Sequence, residues 1–218
     1  MSTEPTVKSP RQVLSEIYVF SPNRDTLGGT SYLIVENIGN ILVDCPAWEK
    51  SNQQFLIDQG GISCIYLTHR GGIGKHLKQM QNLFDCQVVI QEQEAYLLPE
   101  ISTTPFEYEI ELNTSFSGLW TSGHSPGSSC LYYRKHGGIL FTGRHLIPNL
   151  EGKLSLQLGL KTFHTPRQLK NVRMLGERFN KNSLSLVFPG ANTGYLRGRG
   201  YIDNAYEELK QLIVNAKN

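Results

Sequence analysis

Paired cysteines, membrane-length apolar runs and a strong charge of either sign are all missing from this sequence. Its 218 residues carry 21 Lys and Arg against 19 Asp and Glu, a formal net charge of +2. A balance so near neutral gives no argument for a polyanionic partner and none against one. Cys45, Cys64, Cys86 and Cys130 stand far apart, with no C-x-x-C pair. That spacing excludes a disulfide framework and points to buried free thiols in a reducing compartment. No apolar stretch approaches the length of a membrane span. Residues 1–11, with Pro5 and Pro10, lack the apolar core of a secretory signal. Low-complexity tracts, internal repeats and domain-separating linkers are also missing. These absences lead to the expectation of a soluble, cytoplasmic protein with no membrane partner.

What is present is enough apolar material for a sizeable core, 39% of the chain. Residues 1–12 read as a flexible tail and 13–218 as one domain. Strand patterns cover 17–20, 31–36 and 40–44, the last two joined by the hairpin signal Asn37-Ile38-Gly39-Asn40. A helix over 48–59 stops at Gly60-Gly61. A buried strand over 62–67 then runs into Thr68-His69-Arg70-Gly71-Gly72-Ile73-Gly74-Lys75, and a helix follows to Phe84. Another strand covers 86–90 and a short helix 92–98, ended by Pro99. The second half is strand-rich, at 107–112, 118–121, 130–134, 138–142 and 184–188. Helices start at Thr165-Pro166, with the threonine as cap, and at about Ile202. The class is α/β, with two sheets face to face and helices outside.

Several turns, in order, carry a family likeness. Thr121-Ser122-Gly123-His124-Ser125-Pro126-Gly127-Ser128 is very similar to the T-P-G-H-T-P-G-S turn of the metallo-β-lactamase-fold hydrolases, the superfamily that includes glyoxalase II. The strand ending at Asp44, the pair Thr68-His69, the strand end Leu140-Phe141-Thr142-Gly143 and the turn Phe188-Pro189-Gly190 resemble other landmarks of that family. The likeness covers nearly the whole chain and implies a four-layer αββα sandwich, with a site at one edge of the two sheets.

The family's metal ligands carry over poorly. His69 matches the first histidine of T-H-x-H-x-D-H, and His124 matches the histidine of the P-G-H turn. The remaining places in the first motif hold Gly71, Ile73 and Gly74, or Gly71 and Gly72 if the turn is aligned with a short deletion. The aspartate that bridges two metals in the family is Arg144 here, and the last histidine is Ala191. Two imidazoles fall short of the three or four donors that tight zinc binding needs. A guanidinium repels a dication and accepts no hydrogen bond. The expectation is a degenerate relative with no metal and no cofactor, binding a small anionic ligand or a protein partner in the former cleft. Its candidate residues are His69, His124, Arg144, Asp44, Arg70 and Lys75, with Asp44 or a bound anion as counter-ion to Arg144. The alternative is a weakly active or mononuclear hydrolase of thioesters, esters or phosphoesters. A third class is a scaffold within an assembly.

Four further features receive plainer readings. His76, His136, His145 and His164 are expected to be solvated. Cys45 reads as an inert buried thiol. The glycine turn at 71–75 could cradle an anion with backbone N–H groups at a helix start. The arginines of Tyr195-Leu196-Arg197-Gly198-Arg199-Gly200-Tyr201 are expected in a solvated loop, nucleic acid being an unfavoured partner at this net charge.

Overall fold

The computed structural model describes residues 9–157 and 162–216. The greater part of the expected tail, residues 1–8, lies outside the described residues. Arg11 and Gln12, read as tail, instead begin the first strand, because its backbone pairs with the next one. The first sheet has seven strands in chain order: β1 (Arg11–Leu14), β2 (Ile17–Val19), β3 (Tyr32–Ile34), β4 (Ile41–Val43), β5 (Cys64–Leu67), β6 (Gln87–Gln91) and β7 (Thr103–Phe106). Pairing is antiparallel through β4, as the expected 37–40 hairpin requires, and parallel from β4 to β7. Parallel neighbours need crossovers. The helices α1 (Lys50–Asp58), α2 (Leu77–Phe84) and α3 (Glu92–Ala95) lie in them.

The second sheet contains β8 (Glu109–Asn113), β9 (Phe116–Trp120), β10 (Ser129–Tyr133) and β11 (Ile139–Gly143) as an antiparallel run. A small hairpin, β12 (Ile147–Pro148) with β13 (Leu154–Ser155), follows. After α4 (Thr165–Arg178), β14 (Leu186–Pro189) adds parallel to β11, and α5 (Ala205–Asn215) closes the chain. His164, not Thr165, caps α4: its Nδ1 accepts from the Arg167 N–H at 3.0 Å. Pro166 then falls in the first helical turn, where its missing N–H costs no intrahelical bond.

Alternation along the strands sends side chains to three apolar layers. Tyr32, Ile34, Tyr66, Phe116, Leu131, Phe141 and Phe188 fill the space between the sheets. Leu33, Leu42, Ile65 and Val88 point the other way, onto Leu56, Leu77 and Met80 of α1 and α2. Leu140, Cys130 and Val187 meet Val172 and Leu175 of α4 and Leu209 of α5. The result is helix, sheet, sheet, helix, the four-layer α/β sandwich the sequence led us to expect. Each fully buried large apolar side chain contributes roughly 1.5–3 kcal/mol, so these layers, not the site, dominate stability. All four cysteines are free and buried within them. Burial pushes the Cys45 thiol up to about 12, which leaves it protonated and inert.

Candidate functional site

The site forms where β4, β5, β9 and β11 end along one edge. Asp44 follows β4 with φ at 56°, a left-handed conformation that an aspartate tolerates better than most residues. The turn aims its carboxylate at Thr68, whose N–H donates to Oδ1 at 2.8 Å and whose hydroxyl donates to Oδ2 at 2.6 Å. Since the Thr68 proton is used on Asp44, the 2.9 Å contact between Thr68 Oγ1 and His69 Nδ1 makes the imidazole the donor. His69 therefore carries its proton on Nδ1 and presents a bare Nε2, which has no hydrogen-bond partner. His124 stands edge-on to it, ring centroids 5.2 Å apart, with its own Nδ1 unpartnered.

Burial sets the charges here. It pushes Asp44 up to about 6, against the opposing pull of the Thr68 bonds and Arg144. It holds His69 well below the ordinary histidine value, with His124 and the nearby arginines adding to the effect. His124 is brought down to about 4 by burial, then by Arg144. Both imidazoles are neutral at working pH.

The glycine turn does not leave an open hole. Residues 70–72 form one tight helical turn, packed inward. A Cβ on Gly72 would lie 2.1 Å from Asp44 Oδ1, and one on Gly71 would lie 2.8 Å from His69 Nε2. The backbone of this turn therefore packs directly on Asp44 and His69, with no room for a side chain on that side. Part of the turn's backbone is already engaged. The Gly72 and Ile73 N–H groups donate to His69 and Arg70 carbonyls, and the Arg70 N–H donates to Glu94.

Arg144 and Asp44 do not form the expected ion pair. One terminal nitrogen of Arg144 donates to the Thr26 and Leu27 carbonyls, both at 2.9 Å, and its Nε has no partner. Asp44 already has two donors on Thr68, and the loop after β2 reaches the guanidinium first. Arg70 pairs instead with Glu94, Nε to Oε1 at 2.9 Å. Glu94 is fully buried and also accepts from the Gly127 N–H, so it ties the Arg70 turn to the His124 turn. Lys75 is not in the site. It projects into solvent, pairs with Asp25 at 2.7 Å, and borders a separate groove with Leu77 and Leu97.

Arg70, Gly71, His124, Arg144 and Ser125 line one cleft of about 430 Å³, walled by Leu27, Pro126, Thr162 and Phe163. His69 and Asp44 lie behind it. His145, expected in solvent, is buried, because the chain turns after β11 and its N–H bonds the Thr142 carbonyl. Neither of its ring nitrogens has a partner, and burial brings it down to about 3. His136 and His164 are exposed as expected, and His76 is half-buried. Glu94, Leu27 and Phe163 had no signal in the sequence. Glu94 meets Arg70 across a sequence separation of 24, and the other two belong to loops.

No protein-family model matches the sequence, and no curated protein matches it. Solved structures do. A metallo-β-lactamase family protein from Thermus thermophilus is 17% identical, with a TM-score of 0.65 over 94% of this chain and 81% of that one. DIM-1 metallo-β-lactamase is 16% identical, with a TM-score of 0.69 over 96% and 99%. A quorum-quenching N-acyl homoserine lactone lactonase is 17% identical, with a TM-score of 0.59 over 85% and 92%.

The chain has the metallo-β-lactamase fold. Fold alone does not carry a metal. Among the described residues, no group of three or more His, Cys, Asp or Glu is placed to hold one. The donor set agrees with the geometry. Two imidazoles face each other, Asp44 is engaged by Thr68, and a guanidinium stands in the cleft wall. The residues of this site do not fit the metal centre of metallo-β-lactamase-fold hydrolases.

Proposed function

We propose that this protein is a metallo-β-lactamase-fold pseudoenzyme that binds a small anion in its former active-site cleft. The observation that carries the reading is Arg144. Its guanidinium lines the cleft and is hydrogen-bonded only to two neutral carbonyls, so among the described residues no carboxylate forms a salt bridge with it. An anion entering the cleft completes that charge, and a charge-assisted contact is worth about 1.5–3 kcal/mol. His124, held neutral, adds a donor or acceptor without repelling the ligand. A protein partner would meet the same requirement with an acidic side chain. The four free thiols fit a reducing, cytoplasmic setting. No described helix is long and apolar enough to cross a membrane.

Calorimetric titration of the purified chain with acetate and with inorganic phosphate tests this reading. Saturable binding is expected, weakened about tenfold or more in Arg144→Met. Absence of saturable binding for every anion tried contradicts it.

The unpartnered nitrogens of His69 and His124 favour one second reading, a slow hydrolase of esters, thioesters or phosphoesters. Turnover of a generic thioester that disappears in His124→Ala, and that added zinc or manganese stimulates, would establish it. Turnover indifferent to that substitution removes it.

A further inference from the structure

The cleft also has a shape of charge and apolarity that specifies more than "anion". Of the two arginines in the cleft wall, only Arg144 has no salt-bridge partner among the described residues. Arg70 and Arg144 both line the cleft, but Glu94, wholly buried beneath, neutralises Arg70 at 2.9 Å. Asp44, behind Thr68, is a second carboxylate that a doubly charged ligand would have to face. With Asp44 close enough to act on Arg144, a singly charged head suits this cleft better than a doubly charged one.

The walls are apolar and held in place. Leu27 is 80% exposed, with φ at 54°, a left-handed conformation uncommon for a leucine. Its carbonyl is one of the two that Arg144 grips, so the residue that offers the charge also holds this stretch of backbone at the mouth. This left-handed residue caps the short turn Arg24–Thr26, its N–H donating to the Arg24 carbonyl. Phe163, 55% exposed, is pinned from the other side. Its N–H donates to the His124 carbonyl at 3.0 Å, and the next N–H donates to Gly123 at 2.9 Å. Pro126 lies in the same wall. Single exposed apolar residues are ordinary. Two that line one concavity of about 430 Å³ with half-buried Pro126, beside a guanidinium with no salt bridge among the described residues, are not.

Two further cavities carry less. One mixes Arg197, Arg199 and Lys153 with Glu151, Asp203 and Glu208, so its charges answer each other. The groove beside Lys75 and Lys78 has both amines already paired, with Asp25 and Glu100.

We propose that the ligand is an amphipathic monoanion, with a carboxylate head at Arg144 and an apolar tail along Leu27, Pro126 and Phe163. This rests on the anion-binding reading above and specifies its ligand class.

The test titrates the full chain with straight-chain carboxylates from acetate to octanoate, with octanamide and with inorganic phosphate. Affinity is expected to rise up to about fourfold per added methylene, the worth of burying one CH₂. Octanoate should exceed both octanamide and phosphate by about tenfold or more. Leu27→Ser and Phe163→Ser, at exposed positions that leave the core intact, should each weaken octanoate several-fold at an unchanged melting temperature. Equal affinity for acetate and octanoate overturns the tail while leaving anion binding standing. Octanamide matching octanoate, or phosphate exceeding it, overturns the head. Failure of every anion to bind removes the parent reading and this one with it.

Discussion

At the turn after β5, Gly71 and Gly72 press against His69 and Asp44, whereas at the turn after β9, Gly123 and Gly127 press against the helices α4 and α3. The glycines of the first turn face into the site. Those of the second face away from it, onto Gln168 and Glu94, and hold His124 against the scaffold. Both turns need residues without a Cβ, but for opposite ends. The second keeps a side chain in place, as an α/β edge site requires. The first brings backbone into direct contact with His69 and Asp44. A side chain restored at Gly71 or Gly72 would collide with the residues it was meant to assist.

The largest expected effect falls on the second turn. In Gly123→Ala the new Cβ meets Gln168 Cα at 2.4 Å, and the backbone there has φ at 148°. Urea unfolding should show a loss of about 3 kcal/mol or more. A loss under about 1 kcal/mol would mean that α4 gives way and that this turn is no scaffold.

Next comes Gly72→Ala, whose Cβ meets a carboxylate side chain rather than backbone. A loss of about 2 kcal/mol is expected. Combined with Asp44→Ala it should be non-additive by about 1 kcal/mol or more, because the collision partner is gone. Strict additivity would show that the glycine turn does not rest on Asp44.

Acid should separate the two regions further. His145 has a folded value of about 3, below its ordinary 6.5, so its neutral form stabilises the fold above 6.5 and that contribution is lost as pH falls toward 3. His124, at about 4, acts in the same direction. Asp44 opposes them. Raised to about 6, it contributes below the usual carboxylate range, and the contribution is lost as pH rises through 6. Urea midpoints should therefore fall between pH 6.5 and 4, with His145→Leu flattening the decline by at most about 1.4 kcal/mol per pH unit. An unchanged slope in that variant would place His145 in contact with water.

The smallest effect belongs to Lys75→Ala. Its exposed pair with Asp25 should be worth less than about 0.5 kcal/mol, and anion binding should not change. Weakened binding would return Lys75 to the cleft.

These regions are unequally legible in the sequence. The strand at 62–67, the hairpin at Gly39 and the turn at His124 all announce themselves, because period, turn chemistry and spacing are local properties. β7 gives no such signal, since Thr103, Thr104 and Pro105 lack an apolar alternation and the strand exists through its pairing with β6. At the site, the replaced ligands and Arg144 can be read directly. The partner of Arg144 cannot, because its acceptors are backbone carbonyls more than a hundred residues away. Distance along the chain also hides the burial of Glu94, which looks in sequence like one more acid in the first turn of a short helix. His145 deceives for another reason. Strand alternation suggests solvent, but β11 ends just before it and the chain turns inward.

This edge of the fold is not expected to assemble a metal centre, because Gly71 and Gly72 supply no donor side chain beside His69 and Asp44 and Arg144 puts a positive charge in the cleft wall. Elemental analysis of the purified, zinc-supplemented protein tests it most directly. The expected result is zinc, iron and manganese each far below one ion per chain, unchanged in His69→Ala and His124→Ala. A content approaching one ion or more per chain, lost in either variant, would contradict it.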